Sequence, residues 1–116
     1  MELVSGNVYI RPNSLLSVGD KVEGHRHKFD HTTIVFSGAV RVRATSLDGK
    51  EIVREFWSPR PDRPNRAHFL VLADVEHQIE AIEPDTIFWC VYAHRTPQGD
   101  VVQEFNGWTD AYNVAD

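Results

Sequence analysis

The chain has 116 residues, 41% hydrophobic and 25% charged, with Lys+Arg 12 against Asp+Glu 17 and a formal net charge of −5. That length predicts one domain over 1–116 with room for a proper core, and the acidic balance argues against nucleic acid as a bulk electrostatic partner. The single cysteine, Cys90, excludes an intramolecular disulfide and fits a reducing, cytoplasmic compartment. No stretch approaches the ~20 apolar residues of a membrane span, and the first residues lack the basic and apolar pattern of a secretory leader.

In chain order the pattern is one of short strands. Val8 to Arg11, Lys21 to His27, Thr32 to Phe36 and Ala39 to Ala44 are alternating or β-branched. Leu47-Asp48-Gly49-Lys50 is a turn signal, and Glu51 to Trp57 alternates again, which predicts a hairpin. Phe69 to Leu72, Val75 to Ile82 and Thr86 to Tyr92 follow, with Glu83-Pro84-Asp85 as a further turn, and Val101 to Phe105 closes the series. Helical spacing is confined to a turn or two from Trp108 to Tyr112. Many short strands with frequent turns predict an all-β sandwich or barrel.

One segment stands apart. Ser58 to Arg66 holds three of the six prolines and three arginines. Proline cannot donate to a ladder, so this is a connection rather than a central strand. It reads first as a stiffened loop, and second as a lid whose arginines meet an anionic ligand.

The functional signal is histidine. His25, His27 and His31 cluster in His-x-His-x-x-x-His, and His77 lies far downstream. Imidazole is the commonest ligand of divalent transition metals, and residues at i and i+2 of a strand share a face. A metal–nitrogen bond is about 2.0–2.1 Å, so the donors must converge. A straight strand from His25 to His31 would span roughly 20 Å, so the chain must turn near Lys28-Phe29-Asp30. Clustered imidazoles on one face favour a metal site over structural histidines. His68 reads as a surface residue, and His94 as a strand end or an acid–base group near the site. Tyr92 is the strand aromatic whose hydroxyl could serve chemistry, and Asp30 could orient an imidazole or cap a turn. Phe29, Phe36, Phe88 and Trp89 read mostly as core. Trp57 and Trp108 suit a subunit interface by size alone. Cys90, within Ile87-Phe88-Trp89-Cys90-Val91, reads as buried and inert. Glu76 should point away from the face of His77.

Gly19-x5-His25-x-His27-x3-His31-x6-Gly38 resembles the first motif of the cupins, where two histidines, a glutamate and a glycine occur at this spacing. Val71 to His77 resembles the second cupin motif, which ends in the remaining metal-binding histidine. The likeness spans roughly residues 8 to 105. Ala73 and Val75 stand where glycine and proline are common, Ala81 where asparagine is common, and His31 where most cupins carry a metal-binding glutamate. In this the chain is similar to small cupins with four-histidine sites. The resemblance implies a cupin-type antiparallel β-barrel (a jelly roll of two sheets) with metal inside, often as a homodimer. It implies that His25, His27, His31 and His77 hold Mn, Fe, Ni, Cu or Zn, imidazole suiting all of them. The function expected first is a dioxygenase-like oxidoreductase acting on a small oxygen-containing, anionic ligand. The alternatives are a Lewis-acid isomerase, lyase or decarboxylase, and a non-enzymatic binding cupin. Zinc would favour Lewis-acid or structural roles, since redox chemistry needs Fe, Mn, Cu or Ni.

Overall fold

The computed structural model describes residues 3–5, 8–25, 30–46, 48–72 and 75–93, with the backbone alone at 3–5, 23–25 and 93. Among them are nine strands and no helix: β1 (Leu3–Ser5), β2 (Val8–Leu15), β3 (Lys21–His25), β4 (His31–Ser37), β5 (Ala39–Thr45), β6 (Glu51–Trp57), β7 (His68–Val71), β8 (Glu76–Ala81) and β9 (Thr86–Ala93). They form a five-stranded sheet, β1-β2-β9-β4-β7, and a four-stranded sheet, β3-β8-β5-β6. Every pairing is antiparallel. The expected barrel is thus two facing sheets that do not close: β6 and β7, the neighbouring edges, share no ladder among the described residues.

Strand alternation decides what is buried. Tyr9, Val35, Val40, Ile79 and Phe88 are fully or almost fully buried between the sheets. Each such side chain contributes roughly 1.5–3 kcal/mol through apolar burial. The outer face of the four-stranded sheet is charged, with Arg41 paired to Glu55 at 2.8 Å and Arg43 to Glu51 at 3.3 Å. The outer face of the other sheet is apolar: Phe36 is half exposed, and its ring lies 4.7 Å from that of Trp89. Phe36 therefore belongs to the surface, not the core, because its parity on β4 is opposite to that of buried Val35.

The predicted β5–β6 hairpin forms, with Ala39 opposite Trp57 through Thr45 opposite Glu51. Gly49 sits in its turn at φ 84°, where the missing Cβ removes the strain. Two elements differ from expectation. The strand from Val8 runs on to Leu15 and through Pro12; among the described residues β1 reaches only as far as Ile10, so Pro12 has no described partner on that side of β2. The three-residue strand β1 carries too little pattern to be read. The expected strand Val101 to Phe105 and the turn at Trp108 to Tyr112 lie outside the described residues.

One end of the sandwich is clasped. Gly38 has φ 76°, and a Cβ there would come within 2.2 Å of the Thr86 hydroxyl oxygen and 2.9 Å of Thr86 Cα. Thr86 Oγ1 accepts the Ala39 N–H at 3.2 Å and donates to Glu83 O at 2.8 Å. Arg60 caps this end, donating to Gly38 O at 2.9 Å and gripping Glu83 with two nitrogens at 2.9 and 3.0 Å.

Candidate metal centre

The opposite end carries the histidines. His31 opens β4 and His77 is the second residue of β8, so they approach from different sheets. Both are 2% exposed, and their rings lie 5.4 Å apart between centroids at 49°. Two imidazoles whose nitrogens sit ~2.0–2.1 Å from one ion have centroids about 5 Å apart, so this spacing suits a shared metal. Nδ1 of His77 lies 3.2 Å from Val75 O. A carbonyl only accepts, so this bond requires the proton on Nδ1 and leaves the Nε2 lone pair for an ion, the usual arrangement of metal-bound histidine.

His25 ends β3, and the β3–β8 register places it directly opposite His77, after an irregularity between Val22 and His25. Its side chain, and His27 entirely, lie outside the described residues. Among the described residues no three His, Cys, Asp or Glu side chains gather as a metal group. Two of the four expected ligands are therefore placed together, a third is placed by register, and the fourth falls outside.

Tyr92 is 5% exposed, its ring meeting His31 edge-on at 5.7 Å and Tyr9 at 4.8 Å. The phenol oxygens of both tyrosines and both ring nitrogens of His31 are shut from water. Burial first, and Tyr9 second, push the Tyr92 phenol well above its ordinary range, so at neutral pH it is a hydroxyl and not a base. His94 lies outside the described residues. Asp30 is exposed, as is His68, and Glu76 stands on the exposed face away from buried His77.

The Ser58–Arg66 loop is held by internal contacts. Arg60 binds Glu83, Arg63 stacks 3.7 Å over the Trp57 ring, and Arg66 lies 5.1 Å from the Phe56 centroid. The stiffened connection is what forms. Trp57 also departs from expectation: it is 8% exposed, with its indole N–H donated to Pro64 O at 2.9 Å, so it packs within the protomer rather than at a subunit interface. Trp108 lies outside the described residues. Cys90 is buried, its sulfur 3.7 Å from the Thr33 hydroxyl, and burial pushes the thiol up.

A larger feature was not legible in the sequence: a cleft of about 340 Å³ between β5, β6 and β7, reaching His77. Val42, Phe56, Phe69, Leu72 and Val75 line it, and Arg54 is the one charged residue among the described residues that line it.

Compared with solved structures, the chain has the cupin fold. Among the structures it resembles are oxalate decarboxylases. A tryptophan-to-tyrosine variant from Bacillus subtilis superposes with a TM-score of 0.65 at 20% identity, over 77% of this chain and 22% of that one. The Bacillus subtilis enzyme studied for its Mn(II) centres gives 0.65 at 20% identity, over 85% and 24%. The formate complex from Lactobacillus farciminis gives 0.62 at 21% identity, over 77% and 24%. The chain spans about a quarter of the length of these relatives. No protein-family description and no curated protein sequence matches it. No helix among the described residues is long and apolar enough to cross a membrane.

Proposed function

We propose that His25, His27, His31 and His77 hold one divalent transition metal, and that the chain is a metal-dependent cupin of lyase or decarboxylase type acting on a small carboxylate. The observation that carries this is the meeting of His31 and His77 from facing sheets, both buried, with His25 opposite His77 in register. An ion held there would act as a Lewis acid toward a carboxylate or enolate oxygen, and four neutral imidazoles would leave its full charge available. Manganese is a natural first candidate, since the Bacillus subtilis relative has Mn(II) centres, although imidazole suits Fe, Ni, Cu and Zn as well. The chain's own residues set the stage: Val75 O fixes the His77 tautomer, and Tyr92 offers a protonated hydroxyl beside His31. The dioxygenase-like reading draws no support from these neighbours, which are oxalate decarboxylases; the Lewis-acid reading does.

The test is elemental analysis of untagged protein beside a His31→Ala variant, followed by carbon dioxide release from oxalate and other small carboxylates. Near-stoichiometric Mn, Fe, Ni or Cu that falls sharply in the variant, with metal-dependent release, supports the reading. Stoichiometric zinc without turnover moves it to a structural or binding role. No metal after reconstitution with each ion overturns it.

We also propose that a second copy covers the outer face of the five-stranded sheet, which presents Ile10, Ile34, Phe36, Ile87, Trp89 and Val91 where the other sheet presents ion pairs. These six side chains come from three neighbouring strands, β2, β9 and β4, and so form one continuous apolar patch. Sedimentation should return a dimer that Trp89→Arg dissociates; a monomeric wild type refutes it.

A further inference from the structure

The arginines of the β5–β6 hairpin fall into two groups by strand parity. Arg41 and Arg43 lie on the outer face and pair with Glu55 and Glu51. Arg54 is opposite Val42 in the ladder, on the inward face that also carries Ile52 and Phe56, and it lines the cleft. Its Nη1 donates to Val53 O at 2.9 Å, and among the described residues no carboxylate pairs with it. Guanidinium has five N–H donors, so one bond to Val53 O leaves most of its capacity for a ligand in the cleft that it lines.

The cleft is otherwise apolar. Phe56 and Phe69 touch at 4.4 Å and bridge the two edge strands, so the hollow has a floor. At about 340 Å³ it lies at the small end of ligand sites, roughly 300–1,000 Å³. His77, Ala44 and Ile52 form one cross-strand row and Ile79, Val42 and Arg54 the next. Arg54 thus stands two strand spacings from β8, about 10 Å from the imidazole's strand. A doubly charged, wholly polar molecule such as oxalate would lose its hydration against these walls without compensation.

We propose that the cleft binds an amphipathic organic acid, with a hydrocarbon or single aromatic body against Val42, Phe69 and Leu72 and its anionic group on Arg54. Delivery of the far end of that molecule to His77 rests on the metal-centre reading; binding itself does not. This makes Arg54 a specificity-determining residue for an organic acid with an apolar body, and on the metal-centre reading a substrate carries a second oxygen group at the end toward His77.

The test is calorimetric titration of metal-stripped and manganese-loaded protein with 4-phenylbutyrate, 4-phenyl-1-butanol and oxalate, on the wild type, Arg54→Gln and Ile52→Glu. Arg54 and Ile52 are exposed, so both variants should fold, which circular dichroism checks. Phenylbutyrate should bind the stripped wild type, more tightly than the alcohol. Arg54→Gln should weaken the acid about tenfold or more and leave the alcohol unchanged, as loss of a charge-assisted hydrogen bond requires. Ile52→Glu should repel the acid. Equal binding of acid and alcohol, an unchanged acid affinity in Arg54→Gln, or oxalate as the best ligand of the stripped protein would overturn the proposal. Acid binding in a chain that takes up no metal would sink the metal centre and leave the cleft standing; metal uptake without acid binding would do the reverse.

Discussion

At the Gly38 end of the sandwich, polar groups are tied to one another at short range: Thr86 to Ala39 and Glu83, Arg60 to Glu83 and Gly38. At the His31 end, imidazoles and phenols sit inside apolar walls, and the neighbouring edges β6 and β7 part into a cleft. The same strands supply both ends, since β4 runs from His31 to Ser37 and β9 from Thr86 toward Tyr92. One end joins the sheets by contacts that need no ligand, while the other keeps its buried polar groups, His31, His77, Tyr9 and Tyr92, among apolar walls. On the proposed function, stability and chemistry are separated along the strand axis, and substitutions at the two ends should be separable in their effects.

The largest effect belongs to Gly38→Ala. A Cβ at a positive φ, 2.2 Å from the Thr86 oxygen, has to displace backbone, and the loss should be about 2–4 kcal/mol in denaturant titration. Wild-type-like stability would show that the clasp is loose. Next comes metal removal at the other end. If the ion is present at a hundred times its dissociation constant, chelation should lower stability by about 3 kcal/mol. His31→Ala should abolish that chelator sensitivity while leaving the clasp intact, as seen by differential scanning calorimetry with and without EDTA. A chelator that shifts wild type and variant equally would break the separation.

A third, smaller effect is pH-dependent. Arg60, mainly by its hydrogen bond, holds the Glu83 carboxyl below its ordinary value of 4.5. A carboxyl whose folded pKa is depressed contributes stability that is present above the unfolded value and lost as pH falls through the folded one. The stability gap between wild type and Glu83→Gln should therefore be open at pH 6 and narrow below about 4.5. The pair is partly solvent-screened, so the gap is modest. A gap that persists at pH 3 would assign the effect to packing rather than charge.

Much of the fold was legible because strand period and turn chemistry are local. The Ala39–Trp57 hairpin and the turn before Thr86 follow from alternation and turn residues, whereas Gly19 and Gly38 were read through the family resemblance and sit at positive φ. What was not legible depends on tertiary placement. Whether Arg54 is a solvated residue or a cleft wall turns on which face of β6 meets the other sheet, and Glu51, Val53 and Glu55 alternate with it almost as well. Trp57 looked like interface material by size, and only the return of the loop to offer Pro64 O and Arg63 makes it internal. The candidate site was legible as a list of four histidines, of which the structure brings His31 and His77 together. That they come from different sheets is what spacing alone could not say.

The smallest effect tests whether the core between the two ends is as closed as its burial implies. Cys90 lies midway along β9, 9% exposed, opposite Thr33 in the ladder and within 3.7 Å of its hydroxyl. Burial raises the thiol, and the Thr33 contact lowers it by less. Both scarce thiolate and blocked access slow attack on a disulfide reagent. At pH 8 the native protein should therefore react with Ellman's reagent only as fast as it opens, and denaturant should release one thiol at once. Loosening the cleft end with Phe69→Ala should speed the reaction more than breaking the clasp with Glu83→Gln, because Phe69 packs against the cluster that contains Cys90 and Glu83 does not. Equal acceleration by both would mean that the two ends open together, and that the molecule is one cooperative unit rather than a clasp with a working end.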